Sequence, residues 1–148
     1  MSGIRIQTGA SIPNLINICV DRSVQGEIGG RIYHYYEETP QRFDNVVQLL
    51  RQMESLYNSL HFPEASVMLR NFSEEKKRKT PEREQKQVLD REAVMAERGE
   101  CATFYVYVQY RQNATWQGTV VWKEQEQEEE FRSALELIIL LDNALANV

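Results

Sequence analysis

The chain has 148 residues, of which 42% are hydrophobic and 26% are charged, and this composition is ordinary for one globular domain and excludes global disorder. Its formal net charge is −5 and its isoelectric point is near 5.2, which disfavours general electrostatic binding to duplex nucleic acid or to an anionic membrane. No apolar run approaches the roughly 18 residues of a membrane span, and no apolar leader is visible at the start, so we expect a cytoplasmic protein without membrane contacts.

The first half contains two strand patterns followed by a helix pattern. From Leu15 to Val20 apolar residues alternate with polar or small ones, which predicts a strand with one buried face. A glycine-rich turn follows, and the aromatic and β-branched run Arg31–Tyr36 predicts a second strand. Apolar residues at helical spacing predict an amphipathic helix over Phe43–Leu60, which completes a β-β-α unit at residues 14–60.

A highly charged segment separates the two halves. Between residues 73 and 100, 16 of 28 residues are charged, eight of each sign. Thr80-Pro81 is a typical helix start and Gly99 a suitable helix end, so we expect a charged linker that is helical and partly exposed. Residues 65–72 are a candidate edge strand before it.

The second half repeats the order of the first. Strand patterns cover Thr103–Tyr110 and Thr119–Glu124, and a helix pattern covers Phe131–Ala146, within a second unit at residues 102–148. A shift of 88 residues superposes 14–60 on 102–148 without a gap. The aligned pairs include Gly30 with Gly118, Phe43 with Phe131, Leu49 with Leu137, and Met53 with Leu141.

These patterns predict a single α+β domain over residues 1–148 with a duplicated β-β-α core. Two such units form one antiparallel sheet of four or five strands, with two helices on one face and the charged linker helix in addition. Ile32, His34, Val120 and Trp122 are expected to face the helices. The alternation of the strands then places four tyrosines together on the opposite face: Tyr33, Tyr35, Tyr105 and Tyr107.

A sheet face that carries four tyrosines has three interpretations. It can be an interface with a second copy or another protein, because exposed apolar patches mark interaction surfaces. It can consist of ordinary half-exposed tyrosines. It can also stack the bases of a single-stranded nucleic acid, with Arg31 beside the rings.

The connection Tyr110–Gly118 reads YRQNATWQG and is richer in chemistry than a hairpin turn requires. Arg111 offers a fork for phosphate or carboxylate, Asn113 and Gln117 offer amides, Thr115 offers a hydroxyl and Trp116 offers a stacking face. A purely structural connection is the alternative, with Trp116 packed on Phe131 and with Asn113 and Thr115 bonding the local backbone.

Part of this stretch, Asn113-x-Thr115-x-x-Gly118, resembles the second motif of PilZ domains, which bind cyclic-di-GMP. Threonine replaces the serine of that motif, its preceding Arg-x-x-x-Arg pair is absent, and the PilZ barrel is all-β. The whole stretch, followed by Trp122 and by FRSALEL at 131–137, is similar to a family of small uncharacterised proteins from Gram-positive gut bacteria. GRIY at 30–33 and Phe62-Pro63 extend this likeness over most of the chain, and the resemblance implies no activity.

We therefore predict a small cytoplasmic, non-enzymatic binding or regulatory protein that acts through protein–protein contacts and self-associates. The alternative is a nucleotide or single-stranded nucleic-acid binder that uses the 110–118 loop and the tyrosine face. We expect no metal or other cofactor, because neither histidine has a second ligand at metal spacing and no nucleotide-binding motif is present. The candidate binding residues are Arg31, Tyr33, Tyr35, Tyr105, Tyr107, Arg111, Asn113, Thr115, Trp116 and Gln117.

Overall fold

The computed structural model describes residues 12–60, 86–111 and 115–147. Over these ranges the chain is an α+β structure with a six-stranded antiparallel sheet and three α-helices. The strands are β1 (Ile16–Val24), β2 (Glu27–Tyr33), β3 (Gln41–Phe43), β4 (Ala102–Tyr110), β5 (Gln117–Trp122) and β6 (Gln127–Phe131). The helices are α1 (Val46–Leu60), α2 (Arg91–Ala96) and α3 (Ala134–Ala146).

The sheet order is β3-β2-β1-β4-β5-β6, so β1 and β4 meet at the centre and each half continues outward. The α+β class and the antiparallel sheet agree with the sequence prediction. The prediction of four or five strands is wrong, because β3 and β6 add a short strand to each edge. The predicted candidate strand at 65–72 lies outside the described residues.

The strand registers of the two halves are related by the same 88-residue shift. Val20 pairs with Gly30 as Val108 pairs with Gly118, and a register shift follows each pair, after Val20 in β1 and after Val108 in β4. Gly30 pairs with Phe43 as Gly118 pairs with Phe131. Across the centre, Asn17 pairs with Tyr105, its own equivalent at 88 residues, so this pair marks an approximate two-fold axis.

Both long helices begin with the same kind of cap. The Asn45 side chain accepts from the amide of Gln48, and the Ser133 side chain accepts from the amide of Glu136. The side chains of Gln48 and Glu136 accept in turn from the amides of residues 44 and 132. These reciprocal bonds are capping boxes, and they start the helices at residues 46 and 134, three residues later than predicted.

The main core lies between the sheet and the two long helices. Ile16, Ile18, Phe104 and Val106 come from the central strands. The buried residues of α1 are Leu49, Met53, Leu56 and Tyr57, and those of α3 are the equivalent Leu137, Leu141, Ala144 and Leu145. The predicted placement of His34 and Trp122 toward the helices is also confirmed, since both line cavities walled by helix residues.

The charged segment between the halves differs from the predicted linker helix. Its described part, residues 86–100, contains only the six-residue α2, and the predicted start at Thr80-Pro81 lies outside the described residues. Val94 of α2 is fully buried against the sheet face opposite the long helices, where it forms a second apolar cluster with Leu15 and Tyr105. The segment is therefore a cover on this face as well as a connection.

Candidate functional site

Arg111 and Trp116, the two most distinctive residues of the 110–118 loop, contact α1 of the other half. The indole of Trp116 is 6% exposed, and its Nε1 donates to Glu54 Oε1 at 3.2 Å. Arg111 is 7% exposed, and its Nη2 donates to Asn58 Oδ1 at 2.6 Å and lies 3.7 Å from Glu54 Oε2. Both side chains are thus committed to the last turns of α1.

Tyr57 is the apolar centre of this contact. The Trp116 ring meets the Tyr57 ring edge to face at 5.3 Å, and the Arg111 guanidinium lies 5.9 Å from the same ring. Tyr57 is completely buried, and burial raises the pKa of its phenol far above the ordinary value. The contact is therefore an internal anchor between the halves. The sequence prediction of Phe131 as the packing partner of Trp116 missed Tyr57.

The other loop residues give no open site either. Gln117 is half-buried at the start of β5, where it pairs with Tyr110. Thr115 is half-buried, and Asn113 lies outside the described residues. In the first half the equivalent connection is a tight turn at Gln25-Gly26, where both residues have positive φ, as two-residue hairpin turns require. The longer second loop supplies the extra residues that reach α1.

The four tyrosines lie on the sheet face opposite the long helices, as predicted, but that face is not open. Tyr35, Tyr105 and Tyr107 are 3%, 4% and 8% exposed. The Tyr105 hydroxyl donates to the carbonyl of Met95 at 2.9 Å, and burial raises the pKa of Tyr105 to about 12. The expectation of an exposed face for base stacking or for a partner is wrong, because residues 86–100 cover it.

Arg31 is also engaged within the chain. Its Nε lies 2.9 Å from Asp21 Oδ2, its Nη1 donates to the Tyr33 hydroxyl at 2.7 Å, and its Nη2 donates to the Arg98 carbonyl at 3.0 Å. Arg31 thus fastens the covering segment to the sheet. The predicted nucleic-acid platform of arginine and tyrosines is therefore occupied by the protein itself.

Sequence reasoning missed a surface on the outer side of α3. Leu135 is 68% exposed and Ile139 is 48% exposed, although the sequence pattern placed Leu135 in the buried stripe. Ten of the 13 residues of α3 are apolar, so its pattern does not single out one buried face. The 88-residue alignment was the better signal, because it set Leu137 and Leu141 opposite the buried Leu49 and Met53.

Two charges flank this apolar pair. Arg132, Leu135, Ile139 and Asp142 are all exposed, and spacings of three, four and three residues place them on one helix face. We call these four residues the α3 outer stripe. It is a line of one positive, two apolar and one negative side chain, which makes it suitable for pairing with another helix.

Metal and nucleophile chemistry finds little support in the described ranges. Residues 12–60, 86–111 and 115–147 hold no group of three or more His, Cys, Asp or Glu side chains placed for a metal ion. None of the helices in these ranges is long and apolar enough to cross a membrane. Both cysteines are free, and burial raises the pKa of the Cys19 thiol to about 12, which makes it a poor nucleophile.

Comparison with known proteins returned nothing for this chain: no protein-family model, no curated protein and no solved structure matches it.

Proposed function

We propose that this is a small cytoplasmic, non-enzymatic binding or regulatory protein that acts through protein–protein contacts and self-associates through the α3 outer stripe. The carrying observation is the exposure of Leu135 and Ile139, at 68% and 48%, on adjacent turns of one helix face. Full burial of each such side chain stabilises a complex by about 1.5–3 kcal/mol before the cost of association is counted.

The charges of the stripe favour a second copy as the occupant. In an antiparallel pairing of two α3 helices, the two-fold axis passes near Leu137, midway between residues 132 and 142. Arg132 of each copy then lies opposite Asp142 of the other, and Leu135 lies opposite Ile139. Such a pairing is self-complementary, as a two-fold interface requires. A parallel pairing would set like charges side by side.

The first test is the oligomeric state of apolar-to-charged variants. Leu135→Glu with Ile139→Glu is expected to convert a dimer into a monomer in sedimentation equilibrium, because it places like charges at the centre of the interface. The matched control is Val24→Glu, since Val24 is 60% exposed on the β1–β2 hairpin, and it is expected to leave the dimer unchanged. A wild-type chain that stays monomeric at about 200 μM, a concentration that populates even weak dimers, contradicts the proposal.

A charge exchange tests the orientation of the pairing. Arg132→Glu alone and Asp142→Arg alone are each expected to weaken dimerisation, and the double variant is expected to restore it by re-forming both ion pairs with reversed signs. The exchange also suits the helix, because an acid near its first turn and a base near its last turn are favourable. Failure of the double variant to recover affinity would leave the antiparallel arrangement without support.

The duplicated β-β-α unit belongs to the same proposal, extended by the edge strand that each half carries. Its support is the 88-residue relation between registers, capping boxes and buried helix positions. A Cβ on Gly30 would lie 1.9 Å from the carbonyl oxygen of Cys19, and one on Gly118 would lie 2.1 Å from that of Tyr107, its equivalent.

Equivalent units make equivalent demands at these two glycines. Gly30→Ala and Gly118→Ala are each expected to lower the free energy of unfolding by about 1–3 kcal/mol, because the added methyl group collides with backbone. Urea denaturation of the two variants measures this directly. A large effect at one glycine with none at the other would show that the halves do not share this contact.

A further inference from the structure

A cavity of about 390 Å³ lies between α1 and the chain that leaves β2. One wall carries His34, Tyr36 and Glu37, and the other carries Arg51, Gln52 and Ser55 of α1. Its size is at the lower end of the range for small-molecule sites, and its lining is polar. It lies on a different part of the surface from the α3 outer stripe.

The second half provides an internal comparison for this cavity. A smaller cavity of about 200 Å³ occupies the equivalent place, and its lining residues include Trp122, Leu140 and Asn143, which correspond to His34, Gln52 and Ser55 at 88 residues. The fold therefore forms this concavity with an indole and a leucine in place of the imidazole and the amide. The polar lining of the first cavity is not a requirement of the architecture.

Gln52 presents an oxygen that lacks a partner. Its Nε2 donates to the carbonyl of Arg42 at 2.8 Å, which fixes the orientation of the amide. Its Oε1 is buried and accepts no hydrogen bond. A buried acceptor without a donor is costly, so a hydroxyl or N–H group of a ligand would find a ready partner here.

His34 and Arg51 supply donors in the same cavity. His34 Nδ1 accepts from the amide of Tyr36 at 3.1 Å, so a neutral imidazole carries its proton on Nε2 and can donate there. Burial lowers the pKa of His34 against the opposing effect of Glu37, which favours this neutral form. Arg51 is exposed and makes no hydrogen bond or ion pair with any residue in the described ranges.

We propose that this cavity binds a small organic anion, a carboxylate or phosphate ester that also carries a hydroxyl group. The anionic group is held by the Arg51 guanidinium and the His34 Nε2–H, and the hydroxyl donates to Gln52 Oε1. Arginine suits both anions because its fork matches two oxygens at once. The site goes beyond self-association and does not depend on it.

The test is a titration followed by two-dimensional ¹H–¹⁵N NMR, with four probes. L-malate and glucose 6-phosphate each combine an anion with hydroxyl groups, succinate lacks the hydroxyl, and glucose lacks the anion. We expect malate or glucose 6-phosphate to shift the amide of Tyr36 and the signals of the preceding histidine. The corresponding control, succinate or glucose, is expected to bind at least about tenfold more weakly, since each loses one of the two contacts.

The variants are taken from the second half of the chain. Arg51→Ile and Gln52→Leu install the residues found at the equivalent positions 139 and 140, so the fold is expected to tolerate them. Arg51→Ile should weaken binding by at least about tenfold, and Gln52→Leu should abolish the preference for malate over succinate. Asn143→Ser in the second cavity is the matched control and should change neither.

The dispersion of the NMR spectrum shows whether each variant is folded, so loss of binding is distinguished from loss of structure. Absence of localised shifts with all four probes at about 10 mM, a concentration that detects even millimolar affinity, overturns the proposal. Binding that survives Arg51→Ile unchanged, or that is as strong for glucose and succinate, overturns it as well.

Discussion

At the scale of single residues, buried polar side chains record what the sequence pattern concealed. Asn17 alternates with apolar residues in β1, which predicts the correct sheet face but suggests exposure. It is fully buried, and its Nδ2 donates to the carbonyls of Val94 and Glu97 at 2.9 Å each. The covering segment therefore satisfies an amide that would otherwise be costly to bury.

His34 is the residue for which we expect a visible pH dependence. Burial lowers its pKa in the folded chain below the ordinary 6.5, so the unfolded chain binds a proton first as the pH falls. The contribution of His34 to stability is complete above about pH 6.5 and is lost as the pH falls toward the folded pKa. Urea denaturation between pH 7.5 and about pH 5 should show this decline.

The matched variant is His34→Asn, whose side-chain oxygen can replace Nδ1 as acceptor for the Tyr36 amide. It should flatten the decline over this range. An unchanged slope in the variant would assign the pH dependence to other groups. Asp21 is distinguishable, because its pKa is lowered by hydrogen bonds from Arg31 and the Glu100 amide despite its burial, so its effect appears only below about pH 4.

At the scale of elements, the main strands and helices could be predicted and their ends could not. Phe43 and Phe131 were assigned to helices because they precede apolar residues at helical spacing, yet each ends an edge strand and pairs with a glycine. The sequences Asn45-x-x-Gln48 and Ser133-x-x-Glu136 carried the correct signal for the helix starts. Local capping thus outweighs hydrophobic periodicity at these boundaries.

The edge strand β6 shows why some elements escape a sequence pattern. Its residues Gln127–Glu130 are exposed, and three consecutive glutamates resemble the acidic approach to a helix more than a strand. They form a strand because β5 provides a partner along its full length, from Gly118 to Trp122. Charged side chains are also common on edge strands, where they discourage pairing with other sheets.

At the scale of the whole molecule, the 110–118 loop joins the two halves of the structure. Trp116→Ala is expected to lower the free energy of unfolding by about 3–5 kcal/mol, because it empties the space against Tyr57. Arg111→Ala is expected to cost about 1 kcal/mol, since its partners Asn58 and Glu54 can reach water. Chemical denaturation measures both values.

Two further variants separate packing from hydrogen bonding at this anchor. Trp116→Phe keeps an aromatic ring on Tyr57 but loses the donor to Glu54, so it should cost less than the alanine variant. Tyr110→Ala is the surface control, because Tyr110 is 57% exposed in the same connection. If Trp116→Ala leaves stability near that of the wild type, the loop is not an anchor and a recognition role would return to consideration.

The sequence by itself determined the α+β class, the faces of the central strands and the core side of both helices, because alternation and helical spacing are local properties. The 88-residue alignment added the correspondence of Leu49 with Leu137 and of Gly30 with Gly118. Only the tertiary structure decided that the tyrosine face is covered and that Arg111 and Trp116 point inward to α1. Those contacts join residues more than 50 positions apart, and they depend on the pairing of β1 with β4, which no local pattern encodes.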